Sequence, residues 1–313
     1  MWGGSRLREL FGKDFPADRP IGESWEVADR PDAVSVVAEG PLTGTTLREL
    51  MAVFPEEMVG HVVRSDGRFP WLAKLLDARE DLSLQVHPPA HLAGVLGGEP
   101  KTELWYVAFA RPGARLLAGL RSGTSRAEFI DRSTEGSVTR CFNELPVQSG
   151  DVLFVPSGRV HALGGGIVIF ELQQNSDTTY RVFDFNRLGL DGKPRPLHLA
   201  EAFQAIDFSD FSPTLVPGRV EGCRPGLERP LVNDPAFAVT EIHAAPGDQI
   251  LDRRQPGEPG LLAVVQGALQ IEGGGVAIRL LPGGFALLPA ALHVARIEAV
   301  ENTILLQMTP GRA

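Results

Sequence analysis

Between residues 82 and 87, apolar and polar side chains alternate: Leu82, Leu84 and Val86 share one face of an extended chain, and Ser83, Gln85 and His87 share the other. This pattern predicts a strand over 82–87 with its back in a core and its front turned to a cavity. After a loop containing Pro88 and Pro89, a second strand beginning at 101 puts Lys101 and Glu103 on one face. The stretch FPWLAKLLDA (69–78) has apolar spacing that fits a helix or a fully buried strand, and periodicity alone does not decide. Thr46 with Glu49, and Ser125 with Glu128, have capping-box spacing and predict two helix starts, the first helix running towards Met58. Trp25, in GESWEV, is expected in the core. Residues 145–185 read as short antiparallel strands divided by glycine and proline, and LHLAEAFQAI (197–206) as helical. Prolines and glycines crowd 209–230, and short apolar strands resume at Leu231. The expected organisation is mainly β: a larger unit over 1–208 with some helical segments, a linker over 209–230, and a smaller β unit over 231–313.

Composition narrows the class. At 313 residues, 43% hydrophobic and 22% charged, the chain has ample material for a core and an ordinary soluble balance. A net charge of -9 argues against a general nucleic-acid or anionic-membrane binder, so an anionic small substrate must be met by local cations. Cys141 and Cys223 lie in dissimilar contexts without CxxC spacing, which fits a reducing, cytoplasmic setting, and the N-terminus lacks the apolar run of a signal peptide. Of the 30 basic residues only Lys13, Lys74, Lys101 and Lys193 are lysine, and two of these flank the 82–87 strand. That placement suits a compact ammonium role there.

Gln85, His87 and Glu103 offer an amide oxygen, an imidazole and a carboxylate on neighbouring strands. Residues 150–161 read GDVLFVPSGRVH, with G-x5-P-x-G-x2-H spacing that folds a strand between two turns and returns His161 over the sheet. This spacing resembles the second motif of the cupin family, and the 82–103 stretch resembles the first, with glutamine in place of its first histidine. The asparagine usual after the motif histidine is missing. Cupins are small jelly-roll barrels that hold one metal. By resemblance, Gln85, His87, Glu103 and His161 converge on one ion, a donor set suited to zinc.

The words FPWLAKLLDA, DLSLQVHP, KTELWY, GDVLFVPSGRVHAL and FELQQNSDTTYRVFD occur in the order found in class I mannose-6-phosphate isomerases (phosphomannose isomerases), and the chain resembles their short bacterial form over about 1–205. The resemblance implies a zinc-dependent enzyme interconverting mannose 6-phosphate and fructose 6-phosphate, without the helical insertion of longer members. It places the zinc ligands on Gln85, His87, Glu103 and His161, the active-site lysines on Lys74 and Lys101, a phosphate-side serine on Ser83 and an arginine on Arg181. Glu171 and Asp177 match polar positions of the pocket. Arg187 stands where the family has a lysine, which keeps the charge and changes its geometry.

Aldose–ketose isomerisation removes a proton next to a carbonyl and returns it to the neighbouring carbon, so the site must hold an enediolate and supply a base. Lys101 and Arg181 suit the charge, Arg187, Arg181 and Ser83 the phosphate, and Glu171, then Lys101, the proton transfer. In the C-terminal unit Gly283 and Pro289 repeat the first spacing, but Ala291 replaces the glycine and His293 arrives one residue early. That unit is expected to be cupin-like, metal-free and a buttress. The expected partner is a phosphorylated hexose, with no nucleic acid or membrane, in a monomer or homodimer. The rival readings are a cupin enzyme for another sugar phosphate and a non-catalytic sugar-phosphate binder.

Overall fold

A computed structural model of the chain describes residues 2–16, 18–62, 64–188, 192–293 and 295–312. Apart from a two-stranded ribbon, Asp29–Arg30 with Ala33–Val34, its strands form two pairs of antiparallel sheets. In the N-terminal pair the first sheet runs Glu23–Val27, Trp71–Ala78, Ile167–Gln174, Glu103–Ala110, Val152–Val155. The second runs Tyr180–Phe183, Leu84–Val86, His161–Leu163, Arg115–Leu120, Phe142–Pro146. From Trp71 onward the chain crosses repeatedly from one sheet to the other, the jelly-roll habit. Leu76, Val107, Leu153 and Ile169 of the first sheet meet Leu116, Ala118 and Leu163 of the second in one apolar cluster. The C-terminal unit repeats the plan with a five-stranded sheet, Glu228–Asp234, Phe237–Ala244, Thr303–Thr309, Gly260–Gln266, Phe285–Leu288, and a three-stranded one, Val276–Leu280, Leu269–Gly273, Arg296–Ala299.

The ambiguous 69–78 stretch is the strand Trp71–Ala78, and its burial explains the ambiguity. All eight residues are buried. Trp71, Ala73 and Leu75 pack outward in a cluster with Leu231, Phe237, Val239, Leu261, Leu306 and Met308 of the C-terminal unit, while Leu76 and Ala78 belong to the inner core. A strand covered on both faces shows no polar alternation. The same outer cluster joins the two units, so the contact between them is mainly an apolar core.

The capping box at Thr46 forms: its hydroxyl accepts from the Glu49 amide at 3.1 Å and the Glu49 carboxylate accepts from the Thr46 amide at 2.7 Å. The helix it starts stops short of the expected end. It covers Leu47–Val53, breaks at Phe54 and gives way to a second helix, Pro55–Val59, because Pro55 has no N–H to carry the ladder forward and sits where a new helix begins. Ser125 likewise starts Arg126–Glu135. The 82–87 strand is shorter than its pattern, Leu84–Val86, and the next begins at Glu103 rather than 101. Trp25 is half-buried at the rim of the site instead of in the core. Residues 209–227 hold no strand or helix beyond one bridge from Phe211 to Leu120, and the strand Glu228–Asp234 takes up the end of the expected linker. Among the described residues no helix is long and apolar enough to cross a membrane.

Candidate metal centre and its cavity

Strand register brings the polar residues together. His161 pairs with Gln85 across one sheet, and Gln85 pairs with Arg181 on its other side. In the facing sheet Glu171 lies between Lys74 and Trp105, and Gln173 lies opposite Glu103. Alternate residues point inward from both sheets, so Gln85 and His161 meet Glu103, Lys74 and Glu171 in the space between them.

His87, Glu103 and His161 offer ligand atoms that all lie within 4.8 Å of one another, and all three residues are buried. Nε2 of His87 is 3.5 Å from one Glu103 oxygen, and Nε2 of His161 is 3.3 Å from the other. The Gln85 amide sits 3.2 Å from His161 Nε2. Each imidazole is oriented from behind: Nδ1 of His87 donates to the Thr178 carbonyl at 2.8 Å, and Nδ1 of His161 to the Arg159 carbonyl at 2.9 Å. With the proton on Nδ1, the Nε2 lone pair faces the cluster, as a metal ligand requires. The edge of the Trp105 ring packs on His161 with centroids 5.3 Å apart.

The donors also have the right protonation. Burial, then the nearby Lys101 ammonium, push His87 down to about 3, and burial lowers His161 as well, so both are neutral at pH 7. Burial alone would raise Glu103, but Lys101 and the two histidines outweigh it and hold the carboxylate well below its usual range. His87 Nε2 and Glu103 Oε1 are buried without a hydrogen-bond partner. Orphaned buried acceptors are costly, by about 1–3 kcal/mol each, unless something fills the space they face. The site therefore fits a divalent ion held by two imidazoles and a carboxylate, with the Gln85 amide at its side.

Lys101 bridges this cluster to Glu171, with Nζ 3.0 Å from Glu103 and 3.2 Å from Glu171. Burial would lower the ammonium, yet the two carboxylates hold it above its ordinary range. Two carboxylates share that one cation closely, and Glu171 is the one left weak: burial and the Glu103 charge push it up to about 7 against the pull of Lys101 and Lys74. Lys74 lies over the Trp25 ring at 4.2 Å and faces Glu23 and Asp177, each at 3.5 Å. These groups open onto a cavity of about 280 Å³ lined by Ser83, Gln85, Lys101, Glu171, Asp177 and Arg181 among others.

Of the residues singled out in the sequence, all but Arg187 belong to this cluster or line its cavity. Arg187 is turned onto Asp184 and the backbone carbonyl of Asp81. Sequence reasoning missed Trp2, Glu23, Thr179 and Arg195, which also line the cavity. Glu23 and Trp25 share a face of their strand, and Trp25 pairs with Lys74, but the alternation in GESWE carries no sign of which strand it meets. A larger cavity, about 440 Å³, opens in the C-terminal unit beside Asp252, Arg254 and His293. It is remote from the ligand cluster, and Arg254 there is tied to Asp252 and to the carbonyls of Glu258, Pro289 and Leu292.

Comparison with known proteins points the same way as the geometry. Residues 1–103 match the family described as phosphomannose isomerase type I, catalytic domain. Mannose-6-phosphate isomerase ManA of Bacillus subtilis is 33% identical over 306 residues, covering 97% of this chain and 94% of its own. Mannose-6-phosphate isomerase of Streptococcus mutans is 42% identical over 207 residues, covering 66% of this chain and 64% of its own length. A crystal structure of the mannose 6-phosphate isomerase from Bacillus subtilis superposes with a TM-score of 0.84 at 32% identity, over 98% of this chain and 95% of that one. The chain belongs to the type I phosphomannose isomerase family.

Proposed function

We propose that the protein interconverts mannose 6-phosphate and fructose 6-phosphate, with one zinc ion held by Gln85, His87, Glu103 and His161 in a catalytic unit over 1–208. The observation that carries this reading is the convergence of two backbone-oriented neutral imidazoles and a buried carboxylate beside a Lys101–Glu171 pair in one cavity. Zinc bound by these residues would supply Lewis acidity for polarising the sugar carbonyl.

The chain's own groups do the rest. Glu171, pushed up to about 7, is poised to take the proton from the carbon next to the carbonyl and return it to its neighbour. The Lys101 ammonium, kept charged by two carboxylates, stabilises the negative charge of the enediolate. Lys74 and Asp177, paired across the cavity wall, orient sugar hydroxyls. Ser83 and Arg181, joined at 3.3 Å, face the phosphate end. Two free cysteines and the acidic balance suit a cytoplasmic enzyme of sugar phosphate metabolism, and the C-terminal unit over 231–313 serves as its buttress.

The test is a coupled assay for fructose 6-phosphate from mannose 6-phosphate, with chelator treatment and zinc add-back. Turnover abolished by the chelator and restored by zinc is expected. A zinc-loaded protein that binds mannose 6-phosphate and gives no product would overturn the catalytic reading.

A further inference from the structure

Between the strands Ile167–Gln174 and Tyr180–Phe183 the chain crosses from one sheet to the other through residues 175–179, which form no helix or strand of their own. The connector nevertheless carries site contacts. The Thr178 carbonyl accepts the Nδ1 proton of His87 at 2.8 Å, and Asp177 faces Lys74. An irregular segment that aims a ligand has no ladder to fix it, so its bonds must come from outside itself.

The segment leading into Lys101 and Glu103 supplies one set. The Glu99 amide donates to the Thr178 hydroxyl at 2.9 Å, and the Ser176 hydroxyl donates to the Glu99 carbonyl at 3.2 Å. Behind them the Gln174 amide donates to the Thr102 carbonyl at 3.0 Å, and the Thr102 amide to the Gln174 side chain at 2.9 Å. Gly98 permits the approach, because a Cβ there would stand 2.5 Å from the Thr178 methyl.

The two-stranded ribbon supplies the other set. Asn175, fully buried, donates its side-chain amide to the Asp29 carbonyl at 3.1 Å and to the Phe69 carbonyl at 2.8 Å. Arg30, next along the ribbon, places Nη1 on the Asn175 carbonyl at 3.0 Å and on the Glu99 carboxylate. One guanidinium nitrogen thus ties the connector to the Glu99 segment. With 13% of the Arg30 side chain exposed, water competes little for these bonds. Arg68 and Arg64 also face Glu99, at 3.4 and 3.9 Å, but among the described residues neither bonds the connector.

We infer that Arg30 is a positioning residue for the metal centre. By clamping Glu99 to the turn at 175–178, it holds the Thr178 carbonyl behind His87 and keeps His87 in place against Glu103. The inference rests on the reading of His87 and Glu103 as ligands. Arg30 does not line the cavity, so its effect runs through the carbonyl that fixes the tautomer and ring orientation of the imidazole.

The test measures the zinc Kd of the full chain by competition with a chelator, in the absence of sugar, for Arg30→Met, Thr178→Val and Arg68→Met. Arg30→Met removes the tie. Thr178→Val removes the hydroxyl that receives the Glu99 amide and keeps the carbonyl. Each is expected to weaken zinc binding by about tenfold, the lower end of the range for partners behind the ligands. Arg68→Met loses only part-exposed ion pairs, one of them to the same Glu99, and is expected to stay within about twofold of wild type. In the isomerase assay of Arg30→Met, the zinc needed for half-maximal turnover rises by the same factor, while kcat at saturating zinc stays near wild type. A loss of kcat that saturating zinc does not restore assigns Arg30 to the fold alone and overturns the clamp. Wild-type zinc affinity in Arg30→Met, or equal weakening in Arg68→Met, overturns it too. A wild-type protein that takes up no zinc overturns the metal reading and the clamp with it. Zinc affinity that depends on Arg30 in a protein without turnover keeps the clamp and overturns the isomerase reading alone. Should Arg30→Met not fold, Thr178→Val decides by the same competition.

Discussion

At the scale of single residues, the proposed mechanism separates groups that hold the ion from groups that act on the sugar. Glu171→Gln tests the division most directly. The amide keeps the shape and cannot accept the proton, so kcat is expected to fall by about 10²–10⁴-fold, with zinc content unchanged. Kinetics close to wild type would transfer the role to another group. His161→Ala, by contrast, removes a proposed ligand and uncovers Glu103, and loss of zinc by metal analysis is expected together with loss of turnover. The clustering of the proposed ligands was legible in the sequence because strand alternation and turn spacing are local: Gln85 and His87 are two residues apart, and His161 follows a fixed run of glycine and proline. Glu23, Trp25 and Arg195 were not legible. Their places depend on which strand Glu23–Val27 pairs with, and on a left-handed turn at Phe185 and Asn186 that no glycine announces.

At the scale of elements, the strand His161–Leu163 must lie close against Arg115–Leu120 for His161 to reach its partners. Gly164, just beyond it, makes that approach possible: a Cβ there would stand 1.9 Å from the Arg115 carbonyl. Gly164→Ala is expected to destabilise the protein by about 1–3 kcal/mol, the range for forced overpacking, read as a lower denaturation midpoint. A variant as stable as wild type would mean the turn relaxes at no cost. The fold class and most strands were readable from period-two alternation. The boundaries were less so, because burial on both faces erased the pattern in Trp71–Ala78 and one proline divided the expected helix.

At the scale of the molecule, a buried polar network crosses the apolar contact between the units. Tyr106, on the strand that carries Glu103, donates to Glu241 at 3.2 Å, and Glu241 also accepts from Arg229 at 2.8 Å and faces His243 at 2.9 Å. Burial would raise the Glu241 carboxyl, but His243 and Arg229 overcome it and hold it below its ordinary value. A group held low in the folded state stabilises it above the unfolded value, about 4.5, and that stability is lost as pH falls through the lower folded value. Glu241→Gln leaves Arg229 buried without its counter-ion. It is expected to cost about 3–5 kcal/mol near neutral pH and to lose less stability than wild type on acidification below pH 4.5, measured by thermal melts across pH. Parallel pH profiles for the two proteins would remove Glu241 from the acid response.

The shared apolar core also sets a timetable for synthesis. Every group proposed to hold the ion or move the proton has emerged by the strand Tyr180–Phe183. The outer face of the sheet that carries Glu103 and Glu171 is covered in part by earlier residues, among them Leu7, Leu47, Leu50 and Met58, and its cover is completed by later strands, the last being Thr303–Thr309. At about 5–20 residues per second, a nascent pocket waits on the order of ten seconds with that apolar face only partly covered. A polypeptide cut short in that interval carries every proposed ligand and a greasy sheet left half covered, a product for proteases and chaperones rather than for sugar phosphate.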